Sequence, residues 1–307
     1  MRVSTPPRRL VSHGSILVDL ALEVPHLPAR GGDVLAGRSS ISIGGGFNLL
    51  SAAARLGLPG VYAGPHGTGP FGDRVRAALA AEGLELAQPA DASLDTGYCV
   101  VLIEPDGERT FATAAGADAR VDLRRLREVA YQDGDAVYIS GYDLAYPFAG
   151  TAIAEHGGAL PPAMLLVFDP GPLAAEIAPE RLAPVLSRAD LVSLNAREAE
   201  LLGGADRVLE GCRRSAALIL RTGPSGASIH RSGAPPVPVP AVETRVVDTT
   251  GAGDVHVGAT LAGLARGLTL EDSVLLANRA AAYAVSTLGP AAGPTAGQLE
   301  KFGAGRW

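Results

Sequence analysis

Apolar residues recur along this chain with two periods that alternate. Short aliphatic runs at residues 136–140, 164–169, 191–195 and 217–222 each predict a buried strand. Longer alanine- and leucine-bearing stretches, such as 49–58 and 270–286, carry apolar positions at helical spacing. Strand then helix, repeated, predicts a parallel sheet with helices on both faces. Residues 10–19 form another apolar run, ended by Asp19, and predict a central strand with the acid at its C-terminal edge. Ligands bind at that edge in open α/β sheets, although position alone would equally make Asp19 a turn residue. A weakly alternating stretch at 34–43 predicts a strand exposed on one face. Residues 99–103 and 109–113, joined across Asp106-Gly107, predict a hairpin. The proline-rich residues 233–240 predict a stiff extended connection.

The chain is organised around residues 243–267. A β-branched run at 243–247 predicts a short strand, and Val255, Val257, Leu261, Ala262, Leu264 and Ala265 recur at helical spacing until Gly267. Between them stands Asp248-Thr249-Thr250-Gly251-Ala252-Gly253-Asp254. Gly251 and Gly253 let the backbone turn tightly and approach a ligand. The helix N-terminus beyond them favours an anion. Asp254 there is a good N-cap. Beside an anion site the same carboxylate can take a proton from a hydroxyl while amides hold a phosphate.

Composition narrows the class. With 307 residues, 47% of them hydrophobic, one large α/β core is within reach. The 39 glycines are roughly twice the average share of about 7%, which suits many tight turns. Net charge is −6, with no polybasic run, which argues against nucleic acid or a membrane surface as partner. Cys99 and Cys212 are too few for a disulfide framework and are expected to be reduced, as in a cytoplasmic protein. Residues 1–9 lack the apolar core of a signal peptide, and no run reaches the ~18 apolar residues of a membrane span.

The segment from Asp248 to Asp254 resembles the C-terminal signature of the ribokinase-like (PfkB) family of sugar and nucleoside kinases. Gly45, Gly46 and Asn48, followed by Ala54-Arg55-Leu56-Gly57, resemble its N-terminal signature, and the likeness runs over roughly residues 10–295. It implies one three-layer α/β sandwich domain over residues 1–307. The central sheet would be mostly parallel, and a small β-sheet lid would be built from about 20–44 and 96–116. It implies transfer of a phosphoryl group from ATP to a hydroxyl of an unphosphorylated sugar. Asp254 would be the base, and the amides of Gly251, Ala252 and Gly253 the anion hole.

The resemblance also implies that Asp19, Gly45, Gly46 and Asn48 hold the acceptor. Asn195 and Glu198 would act through water on Mg2+ and the phosphates, although as bare sequence they read as an N-cap with its capping-box glutamate. Thr222, Gly223 and Gly226 would form a nucleotide loop, otherwise an ordinary turn. Asn278 would lie along the adenine, otherwise on an exposed helix position. Asp248 and Thr250 would sit near a monovalent cation such as K+, and a homodimer would form through the lid.

Two residues depart from the family pattern. His256 replaces a bulky apolar residue, either as packing beside the site or as an acceptor contact. Phe47 precedes Asn48, where an aromatic could stack on a sugar or base. A nucleoside kinase, favoured if Phe47 and Tyr98 face the pocket, and a non-catalytic sugar- or nucleotide-binding regulator are the competing readings.

Overall fold

The computed structural model describes residues 6–147 and 149–303. Residues 1–5, part of the polar N-terminal segment, lie outside that range. The strands are β1 (Arg9–Ser12), β2 (Ile16–Glu23), β3 (Arg38–Gly45), β4 (Gly60–Tyr62), β5 (Glu85–Leu86), β6 (Tyr98–Ile103), β7 (Arg109–Ala114), β8 (Asp135–Ser140), β9 (Leu165–Asp169), β10 (Leu191–Asn195), β11 (Ala217–Arg221), β12 (Ala227–Arg231) and β13 (Ala234–Val239). The helices are α1 (Gly46–Arg55), α2 (Pro70–Ala81), α3 (Leu123–Glu128), α4 (Gly141–Ala145), α5 (Gly150–Gly158), α6 (Pro179–Arg188), α7 (Ala196–Leu201), α8 (Ala205–Gly211), α9 (Ala252–Ala265), α10 (Leu270–Val285) and α11 (Ala296–Gly303).

Nine strands form the large sheet in the order β13-β12-β11-β10-β9-β8-β1-β4-β5. From β5 to β11 every pairing is parallel, and β12 and β13 join antiparallel at one edge. Apart from the short, exposed edge strand β5, the parallel strands are largely buried on both faces, so they read as continuous apolar runs. One core cluster includes Leu49 and Ala52 of α1, Val257 and Leu261 of α9, and Val274 of α10. The other includes Leu126 of α3, Ile153 of α5, Val185 of α6 and Val208 of α8. Two helical layers therefore enclose the sheet. The chain moves from β1 towards β4 and β5, then returns to add β8 and its successors on the other side. That reversal is the topological switch point, where ligands bind beyond the C-terminal strand ends.

A second sheet has the order β3-β2-β6-β7. Here the structure differs from the single strand expected over residues 10–19. The run is divided at His13-Gly14-Ser15: β1 stays in the large sheet, and β2, carrying Asp19, enters the small one. Gly46 donates its N–H to the Ser15 carbonyl over 2.9 Å, and a Cβ on Gly46 would come within 2.6 Å of the Gly14 carbonyl oxygen. Main chain thus crosses main chain at the break, and the glycines permit it.

Two other expectations change. Residues 234–239 are the edge strand β13, paired with β12, rather than a connection. Proline is tolerated at an edge, where some N–H groups have no ladder partner to serve. Residues 243–247 form no strand. Instead Val247 donates its N–H to the Val285 carbonyl at the end of α10 over 2.7 Å. Among the described residues no helix is long and apolar enough to cross a membrane.

Candidate active site

Three neighbouring parallel strands end on polar residues: β9 on Asp169, β10 on Asn195 and β11 on Arg221. The start of α9 faces them. Gly251 stands just before that helix with φ 72°, the left-handed region that glycine enters without strain. A Cβ there would lie 3.0 Å from the Asn48 side-chain nitrogen. Ala252 donates its N–H to the Thr249 carbonyl over 3.3 Å, so one of the three amides expected in the anion hole has a protein acceptor. Gly253 and Asp254 lie in the first turn of α9, whose N–H groups have no preceding turn to serve. The helix dipole adds positive potential at the same point.

Asp254 is half-buried between these parts. Asn48, at the start of α1, donates its side-chain N–H to Asp254 Oδ2 over 3.1 Å. Burial pushes the Asp254 carboxyl up to about 7. The Asn48 bond and Arg221 work against this rise, while the charges of Asp169 and Glu198 add to it. The side-chain oxygen of Asn48 is buried without a protein partner.

Asp19 stands on β2 opposite Ser42 of β3 and Cys99 of β6, so all three share one face of the small sheet. Burial pushes its carboxyl up to about 6. A residue that the sequence reading did not single out makes room for it: a Cβ on Gly44 would come within 2.2 Å of Asp19 Oδ2. Gly45 has φ 65° and Gly46 opens α1, so both shape the crossing beneath Asp19.

Asn195 and Glu198 make a complete capping box. Asn195 donates its backbone N–H to Glu198 Oε2 over 2.7 Å, and Glu198 donates its own to Asn195 Oδ1 over 2.9 Å. The capping role is therefore real, and it also aims the Glu198 carboxylate at Arg221. Burial and the Asp169 charge raise the Glu198 carboxyl above its ordinary value. Thr222, Gly223 and Gly226 form a tight turn between β11 and β12, in which Thr222 donates its N–H to the Gly226 carbonyl over 2.8 Å.

Arg221 was missed. Its guanidinium donates to Asp169 Oδ2 over 2.9 Å, to the Gly253 carbonyl over 3.2 Å and to Glu198 Oε2 over 3.3 Å. The sequence offered only a charged residue near the end of an apolar run; the structure makes it, like Asp169 and Asn195, the last residue of its strand.

Three expected ligands are placed differently. Asn278 is buried, not exposed, and its side-chain N–H groups donate to the Pro240 carbonyl over 2.8 Å and the Val239 carbonyl over 3.3 Å. His256 Nε2 lies 3.1 Å from Asn278 Oδ1, and burial, helped by Arg221, drives the imidazole down to about 3. The neutral ring donates, so Asn278 holds α9, α10 and the end of β13 together. Asp248 accepts from Arg109, from the N–H and hydroxyl of Thr250, and from the Gly289 N–H. Burial opposes its charge, but these donors hold it below the ordinary carboxylate value. The Asp248 carboxylate is thus tied to protein donors, and the Thr250 hydroxyl is turned inward with it.

The two aromatic residues do not offer a base a stacking surface. Phe47 is 6% exposed and belongs to the core. Tyr98 pairs in register with Val18, on the face opposite Asp19, and packs on Phe71 with ring centroids 5.1 Å apart.

Comparison with known proteins identifies the fold and the family. The pfkB family of carbohydrate kinases matches residues 7–296. A protein of Escherichia coli (strain K12) named as an uncharacterized sugar kinase, YegV, is 35% identical over 298 residues, 93% of this chain and 91% of its own length. The ribokinase of Cryptococcus neoformans var. grubii serotype A, solved in complex with ADP, superposes with a TM-score of 0.79 at 23% identity, over 97% of this chain and 99% of that one. The nucleoside kinase of Burkholderia thailandensis, solved with inosine, superposes with a TM-score of 0.79 at 21% identity, over 96% and 95% of the two chains. The structures share the fold, and the family match spans nearly the whole sequence: this chain belongs to the pfkB family and is a carbohydrate kinase.

Proposed function

We propose that the enzyme transfers the γ-phosphoryl group of ATP to a hydroxyl of an uncharged, unphosphorylated sugar or polyol. The observation that carries this is the Asp254 carboxylate at the start of α9, held by Asn48 and poised near neutrality. A base with that affinity for protons is matched to a hydroxyl acceptor at working pH. Asp19, across the cleft on the small sheet, binds acceptor hydroxyls and orients them towards Asp254. The first-turn amides of α9 receive the transferring group, whose charge needs stabilisation more than covalent help. Closure of the small sheet over the acceptor excludes water, the competing nucleophile.

The donor set suits a divalent cation carried by the phosphates. Asp169 and Glu198 offer hard oxygens, and Mg2+ keeps several of its waters and binds few carboxylates directly. Among the described residues no group of three or more His, Cys, Asp or Glu could hold a metal by itself. The metal would neutralise the phosphates, while Glu198 orients its water shell. The neutral acceptor is favoured because Arg109 and Arg221 are already paired to carboxylates. A nucleoside acceptor is disfavoured by the buried Phe47 and by Tyr98, which lies on the face opposite Asp19 and packs against the core and Phe71. For the quaternary state, the exposed apolar residues of the small sheet, Ile41 at 53% and Phe111 at 62%, support a homodimer. Free Cys99 and Cys212 suit a reducing, cytoplasmic setting.

The test is ADP release from Mg-ATP across free sugars, polyols, sugar acids, phosphosugars and nucleosides, with Asp254→Asn in parallel. Turnover of an uncharged sugar or polyol, lost in the variant, is expected. Equal turnover in both proteins would overturn the base assignment.

A further inference from the structure

We propose that Arg221 is a positioning residue of the transfer site, fixing the anion-hole turn to the strand ends that carry Asp169 and Glu198. This rests on the kinase reading above. Three observations support it independently of that reading. The guanidinium contacts three different elements: β9 through Asp169 at 2.9 Å, the first turn of α9 through the Gly253 carbonyl at 3.2 Å, and α7 through Glu198 at 3.3 Å. It packs so tightly on the turn that a Cβ at Gly253 would lie 3.1 Å from its Nη1. It is also 13% exposed at the side chain, so the contacts are shielded from water and screened little by salt.

The shape of the group matters. A planar guanidinium donates in several fixed directions at once, which a lysine ammonium on a flexible stem does not. One bond goes to a backbone carbonyl, so Arg221 sets where the N–H groups on the other side of that turn point. The remaining bonds take the Asp169 and Glu198 carboxylates, which would otherwise repel each other and Asp254. Arg221 thus acts on geometry through Gly253 and on charge through its balance against three acids. Asp254 does not touch it, and the influence on the base is electrostatic: the guanidinium lowers the Asp254 carboxyl, while Asp169 and Glu198 raise it.

The two parts separate in Arg221→Lys and Arg221→Met. In Arg221→Met, kcat is expected to fall on the order of 100-fold, the scale of a misplaced reacting group, while the acceptor KM, set by Asp19 and Asn48, stays within about 2-fold. The ionisation midpoint of Asp254, followed by carbon-13 NMR of the free protein, moves up by about one pH unit. In Arg221→Lys the midpoint returns and kcat does not, because charge is restored without the fork. An unchanged midpoint in Arg221→Met, or a full recovery of kcat in Arg221→Lys, overturns the assignment. Titration of the free protein needs no turnover. A wild-type enzyme inactive across the acceptor panel would therefore sink the kinase reading and leave the Arg221 measurement standing.

Discussion

Arg109, the first residue of β7, donates to the carboxylate of Asp248, at the entrance to the turn that opens α9. The small sheet and the catalytic turn are thereby joined by an ion pair with side chains 22% and 10% exposed. Asp248 passes the restraint on, since it also accepts from Thr250 and Gly289. Breaking the pair by Arg109→Met should loosen the closed arrangement. The acceptor KM is expected to rise roughly 10-fold, the scale of one charge-assisted hydrogen bond, with a smaller fall in kcat. Because Asp248 is already engaged, adding K+ to a sodium-free wild-type assay should change the rate little. Strong stimulation by K+ would show that a cation displaces Arg109.

The pH profile follows from two acids. Asp254 and Asp19 are pushed up to about 7 and about 6, in both cases chiefly by burial. Each must lose its proton to act, so kcat/KM should climb with pH and level off above about 7. Below about 6 the climb should steepen towards the product of two ionisations. Asp254→Asn should cost between about 10²- and 10⁴-fold in kcat, the usual contribution of a general base. A flat profile between pH 5 and 8 contradicts the assignment of either carboxylate.

Gly44→Ala and Gly46→Ala should fail in different ways. At Gly44 the added methyl meets the end of a side chain, Asp19 Oδ2, which can swing aside. That variant should fold with an unchanged melting temperature and an acceptor KM raised at least about 10-fold, the scale of one lost charge-assisted hydrogen bond. At Gly46 the methyl meets the Gly14 carbonyl, which is main chain. That variant should lose stability by a few kcal/mol, roughly the cost of a backbone clash in a packed region. Thermal melts beside acceptor titrations distinguish the two.

A buried hinge acid makes a prediction about stability. Asp143 accepts the Ser15 N–H over 3.1 Å and also the Ser15 hydroxyl, at the point where β1 gives way to β2. Burial pushes its carboxyl up to about 7, against about 3.9 for an unfolded aspartate. The folded state therefore binds the proton more tightly. Stability from this group is present below about pH 4 and is lost as pH rises through about 7. Asp143→Asn should flatten the fall in melting temperature between pH 5 and 8. The difference between the two curves isolates Asp143 from Asp19, Asp118 and Asp254, which are raised in the same sense.

What the sequence disclosed was whatever leaves a periodic or spaced trace. The parallel strands are apolar on both faces, so their runs stand out at 136–140 and 191–195. The turn from Asp248 to Asp254 is legible because glycines and acids must fall at fixed offsets. The division of residues 10–19 left no trace, since His13-Gly14-Ser15 interrupts hydropathy only briefly and its cause, the approach of Gly46, lies far along the chain. Edge strand β13 was hidden by its prolines, which ordinarily count against a strand. Arg221 and the inward turn of Asn278 are matters of a single side chain's partners, and no spacing encodes them.

The division at Gly14 also sets an order of assembly. Strand β2 pairs with β3 close by in sequence, but its other neighbour, β6, arrives only after β4, α2 and β5 have been laid down. Loop closure over that distance is entropically costly until the intervening segment has packed. The sheet that closes over the acceptor should therefore be among the last parts to form, and hydrogen exchange there should report opening well below the global unfolding free energy. The part of the molecule that must open to admit its substrate is the part that chain connectivity completes last.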